Sequence, residues 1–194
     1  MYKNFNEGMI EVITGPMFSG KSEELLKRIR TLEYAKLKPL VIKPEFDTRF
    51  SENEIVSRAG VKHKTHILKN INDVYFLLQE DKYKAVVIDE AHWFNEELVK
   101  VADDLANKGY LVIVAGLDQN YLREPFGPIP NLLAIAERVT KLQAICVKCQ
   151  HAASTSFRKV AASEINLLGD FQEYEARCRK CHNAGQKEKL QKKV

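Results

Sequence analysis

The sequence predicts an α/β fold in which a parallel sheet is covered by helices on both faces, with a small metal-stapled module appended. Three observations carry this. Short, continuous apolar runs recur at 9–14, 40–42, 85–88 and 111–115; stretches with helical spacing separate them; and the last quarter loses that periodicity and gains two Cys-x-x-Cys pairs. Strands that read as unbroken apolar runs are buried on both faces, which is the mark of a parallel sheet flanked by helices.

The elements follow in order. Met9-Ile10-Glu11-Val12-Ile13-Thr14 is an apolar run ending at Gly15, as expected of a buried strand feeding a turn. From Ser22 to about Leu37, Leu25, Leu26, Ile29 and Leu32 share one helical face. Pro39 closes that helix and Leu40-Val41-Ile42 opens a second strand. Residues 44–64 are charged and weakly periodic, and are expected to be a long, mobile connection. A strand at Thr65-His66-Ile67 leads to a helix near Ile71–Glu80. Ala85-Val86-Val87-Ile88 is a third strand, Asn95–Asn107 a further helix, and Leu111-Val112-Ile113-Val114-Ala115 a fourth strand. No internal repeat or low-complexity stretch interrupts the pattern.

At 194 residues the chain accommodates one full core and a small module. Its 45% hydrophobic and 29% charged residues are those of an ordinary globular protein. No apolar run reaches the roughly 18 residues that a membrane span needs. Met1–Glu7 holds no apolar stretch to serve as a secretory signal, so a cytoplasmic protein is expected. The net charge of +4 owes much to Lys187, Lys189, Lys192 and Lys193, a tail expected to be disordered and solvated.

Gly15-Pro16-Met17-Phe18-Ser19-Gly20-Lys21-Ser22 matches G-x-x-x-x-G-K-[ST] and stands between a strand and a helix, as a phosphate-binding P-loop requires. The glycines let the backbone wrap closely, so that its N–H groups and the helix N-terminus face anionic oxygens. Lys21 would reach the terminal phosphates of ATP and the Ser22 hydroxyl would ligate Mg²⁺. Asp89-Glu90 follows an apolar strand, where one carboxylate suits Mg²⁺ and the other a base or water-positioning role. Asp89-Glu90-Ala91-His92 also spells a signature of nucleic-acid helicases. Such motors need two ATPase domains, and this chain has room for one.

Cys146-Val147-Lys148-Cys149 and Cys178-Arg179-Lys180-Cys181 are separated by 28 residues, and the chain has no other cysteine. Four thiolates on two tight knuckles suit a structural, tetrahedral Zn²⁺ stapling the base of a long loop. His151 and His182 stand beside the knuckles, where either could substitute as a ligand; both are expected instead to face solvent.

With these motifs in place, the sequence resembles the thymidine kinases of the zinc-containing type, from about Met9 to Cys181. The likeness rests on the P-loop, Asp47-Thr48-Arg49, Asp89-Glu90-Ala91, Gly116-Leu117-Asp118, Pro125-Phe126-Gly127 and the paired knuckles. It implies a RecA-like core that moves the γ-phosphoryl of ATP to the 5′-hydroxyl of thymidine. Glu90 would be the base, with Asp89 and Ser22 on Mg²⁺ and Asp47 and Arg49 in the ATP/Mg²⁺ site. Met17, Leu117, Tyr121, Phe126 and Ser156 would line the thymine pocket. The loop between the knuckles would be a lasso, with Ile165-Asn166-Leu167-Leu168-Gly169 bonding the base through main-chain groups and Tyr174 closing over the sugar. The resemblance also implies a homotetramer inhibited by dTTP. Three departures are visible. His92 and Trp93 replace the usual Gln and Phe, Tyr121 stands where Phe is common, and the loop after Cys149 lacks a common Gly and Pro.

The expected division is a P-loop core at 1–140, a zinc-stapled lasso at 141–186 and a basic tail at 187–194. On this division the core should bind ATP without help from the metal. Two rivals are an ATPase motor on nucleic acid and a zinc-ribbon nucleic-acid binder. Between the knuckles Arg158, Lys159 and Arg177 are outnumbered by Glu164, Asp170, Glu173 and Glu175, a balance that speaks against nucleic acid as a partner.

Overall fold

The computed structural model describes residues 7–46, 65–161 and 166–191, and the backbone of 54–56 and 62–64. Asp47, Arg49 and Ile165 therefore lie outside the described residues, as does 192–194 of the expected tail.

Strand β1 (Met9–Thr14) runs into the P-loop, and helix α1 (Lys21–Tyr34) follows. Next come β2 (Pro39–Pro44), the short strands β3 (Glu54–Val56) and β4 (Lys62–Lys64), and β5 (His66–Leu68). A 3₁₀ turn at Ile71–Asp73 enters α2 (Val74–Glu80), then β6 (Ala85–Ile88), α3 (Glu97–Asn107) and β7 (Leu111–Gly116). After α4 (Ile129–Ile135) and β8 (Arg138–Lys141) the chain leaves the sheet. The connection read as a mobile link contains the antiparallel β3–β4 pair. Strands of three residues are too short to leave a readable alternation.

The six-stranded sheet has the order β5-β2-β6-β7-β1-β8, and every pairing in it is parallel. β7 lies between the P-loop strand β1 and β6, the strand ahead of Asp89-Glu90, as the RecA-like reading requires. Alternate residues feed two cores. Ile13, Val41, Val87 and Ile113 pack with Leu25, Leu26, Ile29 and Leu32 of α1 on one face. Val12, Ile42, Val86 and Val114 pack with Val74 of α2, Leu98, Val101 and Leu105 of α3 and Leu132 of α4 on the other. Burial of both faces is why these strands read as unbroken apolar runs.

The remaining residues form the appended module. β9 (Ala144–Ile145) pairs antiparallel with β10 (Ala152–Ala153), and β11 (Thr155–Arg158) with β12 (Tyr174–Arg177). Helix α5 (Arg179–Gln191) follows directly on the second knuckle. The tail expected to be disordered from 187 is thus corrected over 187–191, which form the last turns of α5. Lys189 supplies the reason: its ammonium donates to the Arg158 carbonyl and lies 4.8 Å from the Phe157 ring centroid.

One charge is sealed inside the sheet–α1 layer. Glu11 is fully buried on β1 and accepts from Arg28 Nε at 2.8 Å, while Arg28 Nη1 reaches Glu24 at 2.6 Å. Arg138 Nη1 stands 3.8 Å from the other oxygen of Glu11, so taking away Arg28 leaves the buried carboxylate with only a more distant cation among the contacts described. Arg28→Ala is expected to cost about 3–5 kcal/mol, read from urea unfolding followed by circular dichroism. A loss under about 1 kcal/mol would show that the pair behaves as an exposed one.

Candidate active site and metal centre

Parallel register decides where the functional residues meet. Thr14 lies opposite Gly116 and Ile88 opposite Val114, so Gly15, Asp89 and Leu117 emerge at the same carboxyl edge of the sheet. Ligands of open α/β sheets bind at this edge.

The cradle is built from unusual backbone. Gly15 has φ +145°, and a Cβ there would stand 2.5 Å from the Leu142 carbonyl oxygen. Gly20 (φ +84°) caps α1, and Phe18 holds φ +68° without being glycine. Such conformations persist only where the surroundings enforce them. Ser19 Oγ and Lys21 Nζ both donate to the Pro16 carbonyl at 2.8 Å, which tightens the turn from inside. Ser22 follows in the first turn of α1.

Glu90 is a second non-glycine residue in the left-handed region (φ +48°, ψ +34°). Asp89 is buried; its N–H donates to the Ile42 carbonyl at 3.0 Å, and its Oδ1 accepts from Glu90 N–H at 2.9 Å. The 3₁₀ turn Ala91–Trp93 then carries His92 inward and sets Trp93 beside it, the rings 4.8 Å apart.

Beside this edge lies a cleft with about 410 Å³ of atom-free space, part of it open to solvent. Met17 enters it from the cradle, Leu117, Tyr121 and Phe126 from the loop after β7, Ser156 from β11, Leu167 and Gly169 from the β11–β12 connection, and Tyr174 from the start of β12. The structure thus gathers eight of the residues expected to line a nucleoside pocket. Asn166 is exposed, and Leu168 lines a neighbouring cavity with Phe46 and Phe94. Gln119 and Asn120 were not among the expected site residues, and His92 and Trp93 were given no pocket role; all four line the cleft. Asn120 braces the loop, its Oδ1 accepting from the N–H of Leu122 and Glu124. Trp93 Nε1 and Gln119 Oε1 are buried with no partner among the described residues. The available signal was position, since Gln119 and Asn120 directly follow Gly116-Leu117-Asp118.

Tyr174 is fixed from two sides: its hydroxyl donates to the Leu167 carbonyl at 2.7 Å and accepts from Arg158 Nη2 at 2.9 Å. The Arg158 guanidinium is buried and lies 3.8 Å from the Tyr121 ring centroid, joining the module to the β7 loop. That stacking also engages the face of the Tyr121 ring.

The four cysteine sulfurs lie within 4.8 Å of one another, with Cys146 buried and Cys149, Cys178 and Cys181 half-buried. Tetrahedral Zn–S bonds of about 2.3 Å place sulfurs roughly 3.8 Å apart, and Cys149 and Cys178 stand at 3.6 Å. A disulfide would need about 2.05 Å. The donor set therefore fits Zn²⁺ with its shell filled by protein. His151 is exposed as expected. His182 is not: it is buried, its ring meets Phe157 edge-on, and its Nε2 lies 2.9 Å from the Tyr121 carbonyl. Burial pushes its pKa below the ordinary imidazole value, which favours a neutral ring donating to that carbonyl. The expectation fails because α5 continues straight from the knuckle and turns His182 onto the β7 loop.

The cradle and the cysteine module are also in contact. Met17 N–H donates to Ser156 Oγ at 3.0 Å. Phe18 stacks on Phe171 with centroids 4.6 Å apart and packs against the cluster formed by Ala144, Cys146, Ala153 and Ala176. Two of the cradle's residues thus rest on the cysteine module.

A family model described as "Thymidine kinase" matches residues 8–182. Among curated proteins, a thymidine kinase of Mesomycoplasma hyopneumoniae is 56% identical over 183 residues, covering 94% of this chain and all of that protein. A thymidine kinase of Mycoplasma mobile is 49% identical over 191 residues, covering 98% of this chain and 95% of the relative.

The Met17 and Phe18 contacts carry an expectation of their own. Cys178→Ser, or chelation of the metal, should weaken nucleotide binding by the cradle as well as loosening the cleft, because Phe18 loses the surface it packs on. Calorimetric titration with a non-hydrolysable ATP analogue checks this. Parental affinity in a protein shown to be metal-free would mean that the cradle holds its shape unaided.

Proposed function

This chain belongs to the thymidine kinase family, and from that premise we propose that it transfers the γ-phosphoryl of ATP to the 5′-hydroxyl of thymidine or deoxyuridine. The observation that carries the reading is the single cleft bounded by Met17 of the cradle, by Leu117 and Phe126 beyond β7, and by Tyr174 of the module. A nucleoside seated there would lie beside the phosphate-binding loop and beside His92, whose Nε2 is 3.4 Å from Glu90 Oε2.

Phosphoryl transfer needs positioning and charge neutralisation more than covalent help. Gly15–Ser22 would wrap the β- and γ-phosphates, with Lys21 turning its ammonium from the Pro16 carbonyl towards them. Mg²⁺ supplies charge neutralisation across those phosphates when bound, and Asp89 and Ser22 would hold it. Glu90 would accept the 5′-hydroxyl proton as the new O–P bond forms and the bond to ADP breaks. Main-chain groups of 166–169 would meet the base edge, and Tyr174 would close over the sugar. Asp47, Arg49 and Ile165 keep the roles that the resemblance implies. Zinc would be structural, since four thiolates leave no position for substrate.

The same reading includes a cytoplasmic homotetramer inhibited by dTTP, whose thymine and phosphates would suit the cleft and the cradle together. Large exposed apolar side chains such as Tyr34 (89%) and Phe76 (70%) are available for subunit contacts. No helix among the described residues is long and apolar enough to cross a membrane.

Glu90→Gln should leave ATP and thymidine affinities near parental values and lower kcat by about 10²–10⁴-fold. Turnover within twofold of the parent would remove Glu90 from the mechanism. Lys21→Ala should lower ATP affinity and kcat together. In competition assays deoxycytidine and purine deoxynucleosides should fail as substrates. Main-chain donors and acceptors set for thymine cannot rotate to suit the reversed edge of cytosine, and such sites discriminate by up to about 10⁴–10⁵-fold. Comparable phosphorylation of deoxycytidine would overturn the pocket assignment.

A further inference from the structure

His92 is buried in the turn that carries Glu90, and its two ring nitrogens face different partners. Nδ1 accepts the Leu117 main-chain N–H at 3.2 Å. In a neutral imidazole one nitrogen donates and the other accepts, so a backbone donor on Nδ1 places the ring proton on Nε2. Nε2 lies 3.4 Å from Glu90 Oε2. The ring therefore offers an N–H to the carboxylate read above as the base.

The imidazole is held against rotation. Its centroid lies 4.8 Å from those of Trp93 and Phe126. Its backbone is clamped by two glycines. A Cβ on Gly127, which has φ +52°, would stand 2.4 Å from the His92 carbonyl oxygen, and one on Gly116 would stand 3.2 Å from the His92 nitrogen. Pro125-Phe126-Gly127 thus folds over His92, with the Phe126 N–H anchored on the Asp118 carbonyl at 3.1 Å. The chain rigidifies a side chain that touches the base and is itself fixed to the nucleoside loop at Leu117.

We propose that His92 is a positioning residue for phosphoryl transfer: its Nε2–H holds Oε2 of Glu90, and its Nδ1 ties that carboxylate to the main chain of Leu117 in the cleft wall. Base and nucleoside loop then move as one body. The contact at 3.4 Å is longer than a fully made hydrogen bond, and such catalytic contacts commonly tighten only with substrate in place. The backbone of Glu90 supplies the need for a brace, because a left-handed non-glycine residue keeps its geometry only under external restraint. The proposal rests on the kinase reading for its function, while the tautomer and the contact stand on the geometry alone.

The test uses the full-length protein. His92→Phe removes both ring hydrogen bonds while keeping an aromatic ring, and His92→Gln retains one donor and one acceptor. His92→Phe should lower kcat on the order of 10²-fold, the scale of a misplaced reacting group, with ATP affinity near parental and a smaller loss of thymidine affinity than of kcat, because the ring also braces Leu117 in the cleft wall. His92→Gln should recover most of that loss. Independently, ¹⁵N NMR of the labelled protein should show the His92 ring protonated at Nε2 and bare at Nδ1, with the Nε2 resonance moving in Glu90→Gln. Protonation at Nδ1, or kcat within twofold of the parent in His92→Phe, overturns the proposal. If His92→Phe does not fold, the ring resonances decide: an Nε2 resonance that moves in Glu90→Gln supports the proposal, and one that does not move overturns it. A parent chain that phosphorylates no thymidine sinks the kinase reading, and the ring resonances then judge the His92–Glu90 contact by themselves.

Discussion

Parallel pairing of β1, β7 and β6 is the constraint on which the site depends. Because the strands run the same way in matched register, their carboxyl ends deliver the cradle, the Leu117 loop and the Asp89-Glu90 turn to one edge. Each connection between parallel strands must cross over the sheet, and the crossing helices then bury both faces. Behind the edge the two clusters are apolar, and the Glu11–Arg28 pair is sealed beside them. Rigidity behind and irregular backbone in front are two sides of one arrangement.

At that edge the chain repeatedly adopts conformations that cost energy. Phe18 and Glu90 occupy the left-handed region without being glycine. In each case neighbouring packing supplies the restraint. Phe18 leans on Phe171 and on the cysteine cluster, and the turn of Glu90 is pinned by the Trp93 N–H donating to the Glu90 carbonyl at 3.1 Å. The module is consequently a structural support for the cradle and a wall of the cleft at once. Its own apolar core is small, and its rigidity comes from the four cysteines and from cationic stacking. The Arg177 guanidinium lies 3.5 Å from the Phe157 ring centroid and Arg158 lies over Tyr121.

Legibility in the sequence followed the strength of local pattern. β1, β6 and β7 were readable because burial on both faces leaves unbroken apolar runs. The cradle and the knuckles were readable because their chemistry dictates residue types at fixed spacing. β8 was not. Arg138-Val139-Thr140-Lys141 joins the sheet at an edge, and its exposure alternates so weakly that nothing apolar marks it. α4 was missed for a related reason, being seven residues long with Pro130 in its first turn. His182 was misread because its environment is created by a loop 61 residues away. The cleft residues owed their assignment to likeness with a family. Periodicity alone would have placed Met17, Leu117 and Tyr174 in a core.

The contact of α5 with the β7 loop has a consequence for where the chain can be shortened. Gln186 Nε2 donates to the same Tyr121 carbonyl that His182 engages, and Arg123 Nη1 donates to Asn183 Oδ1 at 2.8 Å. A truncation just past Cys181 would keep every cysteine, the whole P-loop and Glu90. It would nevertheless remove the strut under Tyr121 and Arg123, and with it the Lys189 ammonium that caps the Arg158 carbonyl. The support of the cleft wall therefore extends at least one helical turn beyond the last residue that any motif marks. A fusion partner joined at that point would trade a defined wall of the cleft for a loose one.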